Sequence, residues 1–253
     1  MSESLVSQSN NGRAGCALVT GGSGGIGAET ARQLAREGWP VAVGYHTNEQ
    51  GALSVVRDIE EAGGRAAAFG ADLADRQAPA RLLEAIDAEF GVPVLVLVNN
   101  AGIARDRLTI HLDDEDWDSV VDMNLGAAFR LTRPLLPVMR RAGFGRVINI
   151  ASVAGLRARP GQGNYAAAKG GLVAWTKTVA LEVARRGITI NAVAPGWIET
   201  QMSAEIPAGA LNLIPARRVG VPREVAACVR FLASEDAGYV TGTVLVVDGG
   251  MSA

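Results

Sequence analysis

The chain is poor in histidine, lysine and cysteine, and each scarcity excludes a class of site. Its 253 residues hold two histidines, His46 and His111, which excludes histidine triads and histidine-rich metal centres. Its two cysteines, Cys16 and Cys228, stand far apart, and no secretory pattern opens the chain, so we expect a reducing cytoplasm. No apolar run approaches the about 20 residues that a membrane helix needs, so no membrane association is predicted.

The charge balance excludes a further class of partner. Apolar residues make up 48% of the chain, charged residues 20%, and the formal net charge is −2. No basic field is therefore expected to attract nucleic acid. The length suits one large α/β domain. The polar, aperiodic residues 1–13 predict a disordered tail, which leaves 14–253 as the domain.

Short apolar runs alternate with longer helical patterns from Cys16 onward. The seven runs are CALVT, VAVGY, AAAFG, VLVLV, RVINI, ITINAVA and TVLVV. They are continuous rather than alternating, which is typical of parallel strands covered on both faces. Three helices are expected between the first runs. One begins at about Gly25, the next ends near Gly63 and the third ends at about Phe90. The pattern predicts an α/β fold, a single doubly wound Rossmann domain with a seven-stranded parallel sheet. The irregular stretch 195–221 is interpreted as a mobile segment over a ligand cleft.

A glycine-rich turn joins the first strand to the first helix. It reads TGGSGGIG, residues 20–27, and Gly21, Gly25 and Gly27 let the backbone approach a pyrophosphate. The helix N-terminus adds unpaired N–H groups and the positive end of a dipole. The position of the turn between strand and helix indicates a dinucleotide site, with a merely flexible turn as the alternative.

The end of the second strand carries information on the cofactor. Residues 44–47 read GYHT, without the carboxylate that usually binds the ribose 2′-hydroxyl of NAD. This favours NADP(H) over NAD(H), with His46 and Thr47 as partners of the 2′-phosphate or His46 as a plain solvent-facing residue. Asp72 follows the third strand and either accepts from the adenine amino group or caps the next helix.

Tyr165 and Lys169 stand four residues apart in NYAAAKGG, with Ser152 upstream in VINIAS. The chain holds three tyrosines and two lysines, so this spacing is uncommon by chance. On a helix the two side chains share a face. An ammonium beside a phenol is expected to lower the phenol pKa toward the working range of a proton donor. The alternative is a helix face with an incidental Tyr and Lys.

The combination of TGGSGGIG, NNAG at 99–102, Ser152 with Tyr165 and Lys169, and PGWIET at 195–200 resembles the short-chain dehydrogenase/reductase family. Within it, VNNAGIARDRL and YVTGTVLVVDGGM are most similar to 3-oxoacyl-[acyl-carrier-protein] reductases. The resemblance implies that Tyr165 protonates a carbonyl oxygen, Ser152 polarises it, Lys169 supports both tyrosine and nicotinamide ribose, and Asn124 positions a water. For Asn124, a structural amide bridging two backbones is the alternative.

The resemblance also implies a set of cofactor contacts. They are Gly21, Ser23, Gly25, Ile26, Gly27, His46, Thr47, Asp72, Leu73, Asn100, Ala101, Gly102, Tyr165, Lys169, Pro195, Gly196, Ile198 and Thr200. Gly24 stands where such reductases usually carry Arg, which weakens the preference for NADP(H). Trp197 replaces a common Phe, and the segment between Met202 and Pro215 is a few residues shorter than usual. Both differences bear on substrate shape.

Partners follow from the same resemblance. The chain is expected to be a homotetramer, with Gly170 and Gly171 allowing close helix packing between subunits. Arg140, Arg141, Arg185 and Arg186 are predicted to dock an acidic acyl carrier protein beside the active-site entrance, or merely to complement helix C-termini. The predicted activity is NADPH-dependent reduction of a 3-oxoacyl or polyketide thioester. A dehydrogenase of a sugar, steroid or secondary alcohol, and a non-catalytic nucleotide-sensing protein, are the alternatives.

Overall fold

The computed structural model describes residues 14–200 and 209–253, and it shows one parallel sheet with helices packed against it. The strands are β1 (Cys16–Val19), β2 (Val41–Tyr45), β3 (Ala66–Gly70), β4 (Val94–Asn99), β5 (Gly145–Ile150), β6 (Ile188–Pro195) and β7 (Val244–Val247). The α-helices are α1 (Gly25–Arg36), α2 (Glu49–Glu61), α3 (Ala78–Phe90), α4 (Asp114–Val121), α5 (Ala127–Ala142), α6 (Gly163–Val183) and α7 (Pro222–Ala233). Seven strands were predicted at these places, and the prediction is confirmed.

The strand order is β3-β2-β1-β4-β5-β6-β7, and every pair is parallel. The order reverses between β1 and β4, because the chain returns from β3 across β2 and β1 to form β4. Helix α1 contacts both α2 and α7, whereas α3 contacts α5 and α4 contacts α6. This is the doubly wound arrangement, in which ligands bind outside the carboxyl ends of the strands at the switch point.

Burial follows strand position in the sheet. Every residue of β1, β4, β5 and β6 is buried, so these four strands form the centre of the core. The expectation that all seven strands are covered on both faces is wrong for β3 and β7. These are the edge strands, and Val246 in β7 is 39% exposed. A continuous apolar run therefore does not by itself distinguish an edge strand from a central one.

The helix ends agree closely with the sequence. Helix α1 begins at Gly25, α2 ends at Glu61 just before Gly63, and α3 ends at Phe90. The proposal that Asp72 caps the next helix is wrong, because Gln77 precedes α3 and Asp72 Oδ1 instead accepts from the backbone N–H of Ala74. The predicted tail 1–13 lies outside the described residues, as does 201–208 of the predicted mobile segment.

Neither a membrane span nor a metal cluster is found in the described part of the chain. No helix there is long and apolar enough to cross a bilayer. No group of three or more His, Cys, Asp or Glu side chains within 14–200 and 209–253 is arranged to hold a metal ion.

Candidate active site

The predicted catalytic residues meet at the carboxyl edge of the sheet. Ser152 lies two residues after β5, and Tyr165 and Lys169 lie in the first turns of α6. Asn124 lies in a π-helical turn, Asp122–Gly126, between α4 and α5. Single π-turns inside helices are frequent at functional sites because they redirect a side chain. The fold thus brings four residues from three segments to one place.

Tyr165 is half-buried and lies beside Ser152. Burial raises the pKa of the phenol, and nearby Asp106 adds to the rise, whereas the neighbouring hydroxyl of Ser152 lowers it. The expectation that Lys169 brings the tyrosine pKa below its usual value is wrong here. Desolvation of the phenolate outweighs the other effects. At neutral pH Tyr165 is therefore protonated and able to donate.

Lys169 is buried beneath the tyrosine ring. Its Nζ lies 5.6 Å from the ring centroid of Tyr165 and donates to the carbonyl oxygen of Ile150 at 2.8 Å. Burial lowers the pKa of Lys169 to about 8, because an ammonium loses hydration there. The ammonium therefore faces the ring and a backbone carbonyl, which explains why the phenol oxygen gains little from it.

The two ends of the Asn124 side-chain amide have different surroundings. Its Nδ2 donates to the carbonyls of Ile103 and Val120 at 2.8 and 2.9 Å, which is the predicted structural bridge. Its Oδ1 is buried and has no hydrogen-bond partner in the described part of the chain. A Cβ on Gly102 would sit 2.4 Å from this oxygen and 3.5 Å from Lys169 Nζ. The space left by Gly102 thus borders both groups, and an unpaired buried acceptor there suits a bridging water.

The glycine-rich turn is shaped for close backbone approach. Gly21 and Gly25 have φ of 62° and 52°, which L side chains rarely adopt. A Cβ on Gly27 would sit 2.2 Å from the carbonyl oxygen of Gly21. Gly24 precedes α1 without a side-chain cap, and the first turn carries no acidic residue. The N–H groups of α1 therefore face an open cradle, which fits a pyrophosphate.

The end of β4 holds this cradle in place. Asn100 Nδ2 donates to the carbonyls of Thr20 and Gly21 at 2.9 and 3.0 Å. The backbone N–H groups of Asn100 and Ala101 both donate to Thr20 Oγ1 at 3.0 Å. The amide of Asn100 is thus used to join two loops. A small cavity bordered by Leu73, Ala101 and Asn124 continues from here toward the π-turn.

A carboxylate of α2 lies beside the end of β2, although the strand end itself carries none. His46 Nε2 lies 3.9 Å from Asp72 Oδ1, so two predicted cofactor contacts are neighbours, and Thr47 beside them is exposed. The hydroxyl of Tyr45 donates to Glu49 Oε1 at 3.1 Å. Glu49 belongs to the first turn of α2, so a negative charge lies near the strand end although residues 44–47 carry none.

The segment after β6 closes the same edge. Pro195 pairs with Val247, and the N–H of Gly196 donates to the Val247 carbonyl at 2.9 Å. Ile198 is 4% exposed. The Thr200 Cγ2 atom lies 3.1 Å from where a Cβ on Gly25 would sit, which places Thr200 against the glycine-rich turn. The remaining predicted contacts of this turn, Ser23 and Ile26, are half-buried beside it.

A buried carboxylate, Asp116, was missed by sequence reasoning. It is 4% exposed and pairs with Arg105 at 3.0 Å and Arg107 at 3.2 Å. Asn164 donates to the backbone carbonyls of Arg105 and Asp116, and its own Oδ1 accepts from the N–H of Tyr165. The cluster therefore fixes the loop after β4 against the first turn of α6. No motif in the sequence marked Asp116, because its role depends on arginines and an asparagine from other segments.

The four arginines expected beside the entrance lie at the other edge of the sheet. Arg140 and Arg141 end α5, and Arg185 and Arg186 follow α6, directly before β5 and β6 begin. Helix α6 has 21 residues, about 30 Å at 1.5 Å per residue, and Tyr165 lies at its opposite end. Within one chain the expectation is wrong, because a helix antiparallel to its strands carries its C-terminus away from their carboxyl ends.

The paired glycines of α6 are used inside the chain. A Cβ on Gly155 would sit 2.7 Å from the backbone nitrogen of Gly170, and one on Gly171 would sit 3.0 Å from Leu125 Cδ2. Gly170 therefore lies in close backbone contact with the turn that follows Ser152. A contact of these glycines between subunits stays a prediction.

The switch-point cradle and the proton-donating group beside it define a Rossmann-type oxidoreductase. A family model described as enoyl-(acyl carrier protein) reductase matches residues 21–252. The chain belongs to the short-chain dehydrogenase/reductase family and is an NAD(P)-dependent oxidoreductase acting on C=O or CH–OH groups.

Curated relatives cover nearly the whole chain. A 3-oxoacyl-[acyl-carrier-protein] reductase of Synechocystis is 46% identical over 237 residues, 93% of this chain and 96% of the relative. Proteins of the same name from Escherichia coli and Staphylococcus aureus are 45% and 43% identical, each over 239 residues and 93% of this chain, and over 96% and 97% of their own lengths.

Proposed function

We propose that the chain reduces a 3-oxoacyl thioester to the 3-hydroxyacyl product with NADPH. The observation that carries the proposal is that Ser152, the half-buried Tyr165 and the buried Lys169 lie together at the carboxyl edge of the sheet, the edge that also holds the glycine-rich turn. A protonated phenol next to a second hydroxyl is suited to a carbonyl oxygen that gains negative charge. The names of the curated relatives support the 3-oxoacyl thioester as substrate.

Separate residues bind the cofactor and transfer the proton in the proposed reaction. The first turn of α1 with Gly21, Gly25 and Gly27 would hold the pyrophosphate, and Ile198 with Thr200 would hold the nicotinamide end. The cofactor, when bound, supplies hydride. Ser152 donates a hydrogen bond to the substrate oxygen and so polarises the carbonyl, and Tyr165 transfers its phenolic proton to that oxygen. Lys169 stabilises the phenolate left behind, and Asn124 Oδ1 holds a water through which the proton is replaced.

A substrate panel tests the proposal. It should contain a 3-oxoacyl thioester, the matching 2-enoyl thioester, a sugar, a steroid ketone and a simple secondary alcohol, each with NADPH and NADH. The enoyl thioester is included because the matching family is described by that substrate. The highest kcat/KM is expected for the 3-oxoacyl thioester. A higher value for another class would replace the proposed substrate, and no turnover with tight cofactor binding would favour a sensing protein.

Preference for NADPH is expected from residues 44–47, which bring no carboxylate to repel the 2′-phosphate. Glu49 opposes this preference from α2, so the wild-type ratio of kcat/KM for NADPH over NADH should be moderate. Replacing Tyr45 with Asp adds a carboxylate at the strand end and should move the preference toward NADH. The ratio of the two kcat/KM values measures the change.

The matched control is Tyr45→Asn, which has the same size as Asp and the same loss of the Glu49 hydrogen bond, but no charge. Only the Asp variant should lower the ratio strongly. An equal change in both variants would assign the effect to lost packing, and a wild-type preference for NADH would refute the proposed cofactor.

Docking of an acyl carrier protein requires a second copy of the chain. Arg140, Arg141, Arg185 and Arg186 are exposed, and a Cβ on Gly187 would sit 2.4 Å from the Gly143 carbonyl oxygen, so the two helix ends form one positive cluster. Because the cluster lies at the far edge of its own sheet, a carrier bound there would reach Tyr165 only in a neighbouring subunit. Homotetramer formation is therefore part of the proposal. Exposed Trp117, Phe129 and Leu181 on α4, α5 and α6 support it.

Charge reversal at Arg141 and Arg186 should raise KM for a carrier-bound 3-oxoacyl thioester. Electrostatic attraction between the arginines and an acidic carrier protein speeds its association, whereas binding of a short free thioester does not depend on these arginines. Its kcat/KM should stay almost unchanged. The control is Arg57→Glu with Arg223→Glu, an equal charge change at exposed sites on α2 and α7. Equal losses on both substrates would indicate damage to the shared site, and no loss would favour a free substrate.

Mixed oligomers distinguish docking within a chain from docking between chains. A Tyr165→Phe chain keeps the arginines, and an Arg141→Glu, Arg186→Glu chain keeps the catalytic tyrosine. Co-expression should restore low KM for the carrier-bound substrate if the arginines of one chain serve the site of another. A KM equal to that of the charge-reversed protein alone would contradict this arrangement.

A further inference from the structure

Two arginines lie on the loop that connects the segment of Ser152 to helix α6, which carries Tyr165. The loop runs from the short turn after Ser152 to the start of α6, two residues before Tyr165. It carries Arg157 and Arg159, both of which are exposed. The side chain of Gln162, at its end, donates to Asp106 Oδ2 at 2.8 Å, which ties the loop to the segment after β4. The loop therefore forms one wall of the entrance to Tyr165.

Arg159 is held against an aromatic ring at this wall. Its Cζ lies 4.7 Å from the ring centroid of Trp197, which follows β6 and directly precedes the buried Ile198. A guanidinium stacked on a ring keeps its N–H edge free, and that edge matches a phosphate with two parallel hydrogen bonds. The stacking thus orients a cation without neutralising it.

Neither arginine of the loop is paired with a carboxylate in the described part of the chain. Arg157 donates to the backbone carbonyl of Met251 at 2.6 Å, so it anchors the C-terminal segment beside the loop. The arginines across the entrance differ, because Arg105 and Arg107 both pair with Asp116. Positive charge at the rim is therefore concentrated on the side of Arg159 and Trp197.

We propose that Arg159, oriented by Trp197, binds the phosphate of a pantetheine arm that carries the acyl thioester. This rests on the proposed function and deepens it, because it specifies the chemistry of the substrate's distal end. A thioester inserted with its carbonyl at Ser152 and Tyr165 leaves its arm at the entrance. Arg157 adds positive potential there. The subsite selects a phosphorylated arm over a neutral thioester of the same acyl group.

The test compares one 3-oxoacyl group on three arms, namely pantetheine, 4′-phosphopantetheine and coenzyme A. For the wild type, kcat/KM should be about tenfold higher on the two phosphorylated arms than on pantetheine, as for one charge-assisted bidentate contact. Arg159→Gln should remove this advantage and leave the pantetheine substrate unchanged. Arg159→Lys should keep part of it, because it keeps the charge and loses the planar fork.

Arg65→Gln is the matched control. Arg65 is exposed and stacks on Phe90 with its Cζ 4.8 Å from the ring centroid, but it precedes β3 at the opposite edge of the sheet. It should leave all three substrates unchanged. Equal loss on all three arms in Arg159→Gln, or no loss on any, would overturn the proposal. An advantage restricted to coenzyme A would also overturn it, because the contact would then be to the nucleotide.

Binding without turnover separates this proposal from the proposed reaction. Titration calorimetry with unacylated 4′-phosphopantetheine should give a Kd that rises about tenfold in Arg159→Gln. If no thioester is reduced but this difference is present, the reaction assignment fails and the subsite remains. If thioesters are reduced but 4′-phosphopantetheine binds both proteins equally, the subsite is refuted and the reaction remains.

Discussion

Replacing Tyr165 with Phe is expected to lower kcat for carbonyl reduction by on the order of 10² or more, as loss of a positioned proton donor does. The substitution removes one oxygen and leaves the ring against Lys169 Nζ, which lies 5.6 Å from its centroid. Because burial raises the pKa of Tyr165, the wild-type phenol is protonated at neutral pH. The variant loses the proton donor, and the glycine-rich turn that is proposed to bind the cofactor is unchanged.

The dissociation constant of the cofactor and the midpoint of thermal unfolding should stay close to wild type in Tyr165→Phe. These two measurements separate a chemical defect from misfolding. Ser152→Ala offers a comparison, since it removes the hydroxyl beside Tyr165 while the tyrosine remains. Near-normal kcat in a folded Tyr165→Phe protein would show that another group supplies the proton.

Replacing Lys169 with Met is expected to lower kcat by a similar order and to change the response to pH. Burial holds the pKa of Lys169 at about 8, so its positive charge is lost as pH rises through 8. The wild-type rate of carbonyl reduction should therefore fall above pH 8. Residual activity of Lys169→Met should lack this step. A wild-type rate that rises through the same range would contradict the assignment.

The same lysine makes a testable contribution to stability. Its pKa is about 8 when folded and near the usual 10.5 when unfolded. Between these values the unfolded chain binds the extra proton, so the free energy of unfolding rises with pH. Below pH 8 both states are charged and the burial cost is present in full. The difference in unfolding free energy between wild type and Lys169→Met should therefore shift in favour of wild type from pH 7 to pH 9.5.

The strands and the glycine-rich turn were readable from sequence because both depend on near neighbours along the chain. Apolar runs of five to seven residues predicted β1 to β7, and Gly25 marked the start of α1. The spacing of Tyr165 and Lys169 needed only the helical repeat. Each of these signals lies within one element, so composition and periodicity were sufficient.

The electrostatics of the site depended on burial, which no local pattern reports. The tyrosine pKa was expected to fall beside Lys169, but desolvation raises it. Glu49 contacts Tyr45 because α2 begins close to the strand end, and Asp116 is held by two arginines of the loop that follows β4. A charge shifts a pKa only through its distance and the surrounding dielectric, and both are tertiary quantities.

The sequence by itself determined the sheet, the cradle and the set of groups that carry the chemistry. The tertiary structure decided which edge each helix end occupies, and so moved Arg140 and Arg186 away from their own Tyr165. It also brought Arg159 onto Trp197, 38 positions apart in the sequence, at the entrance. Contacts between distant segments follow from strand order and helix direction, and these are fixed only when the apolar faces of all the elements pack together.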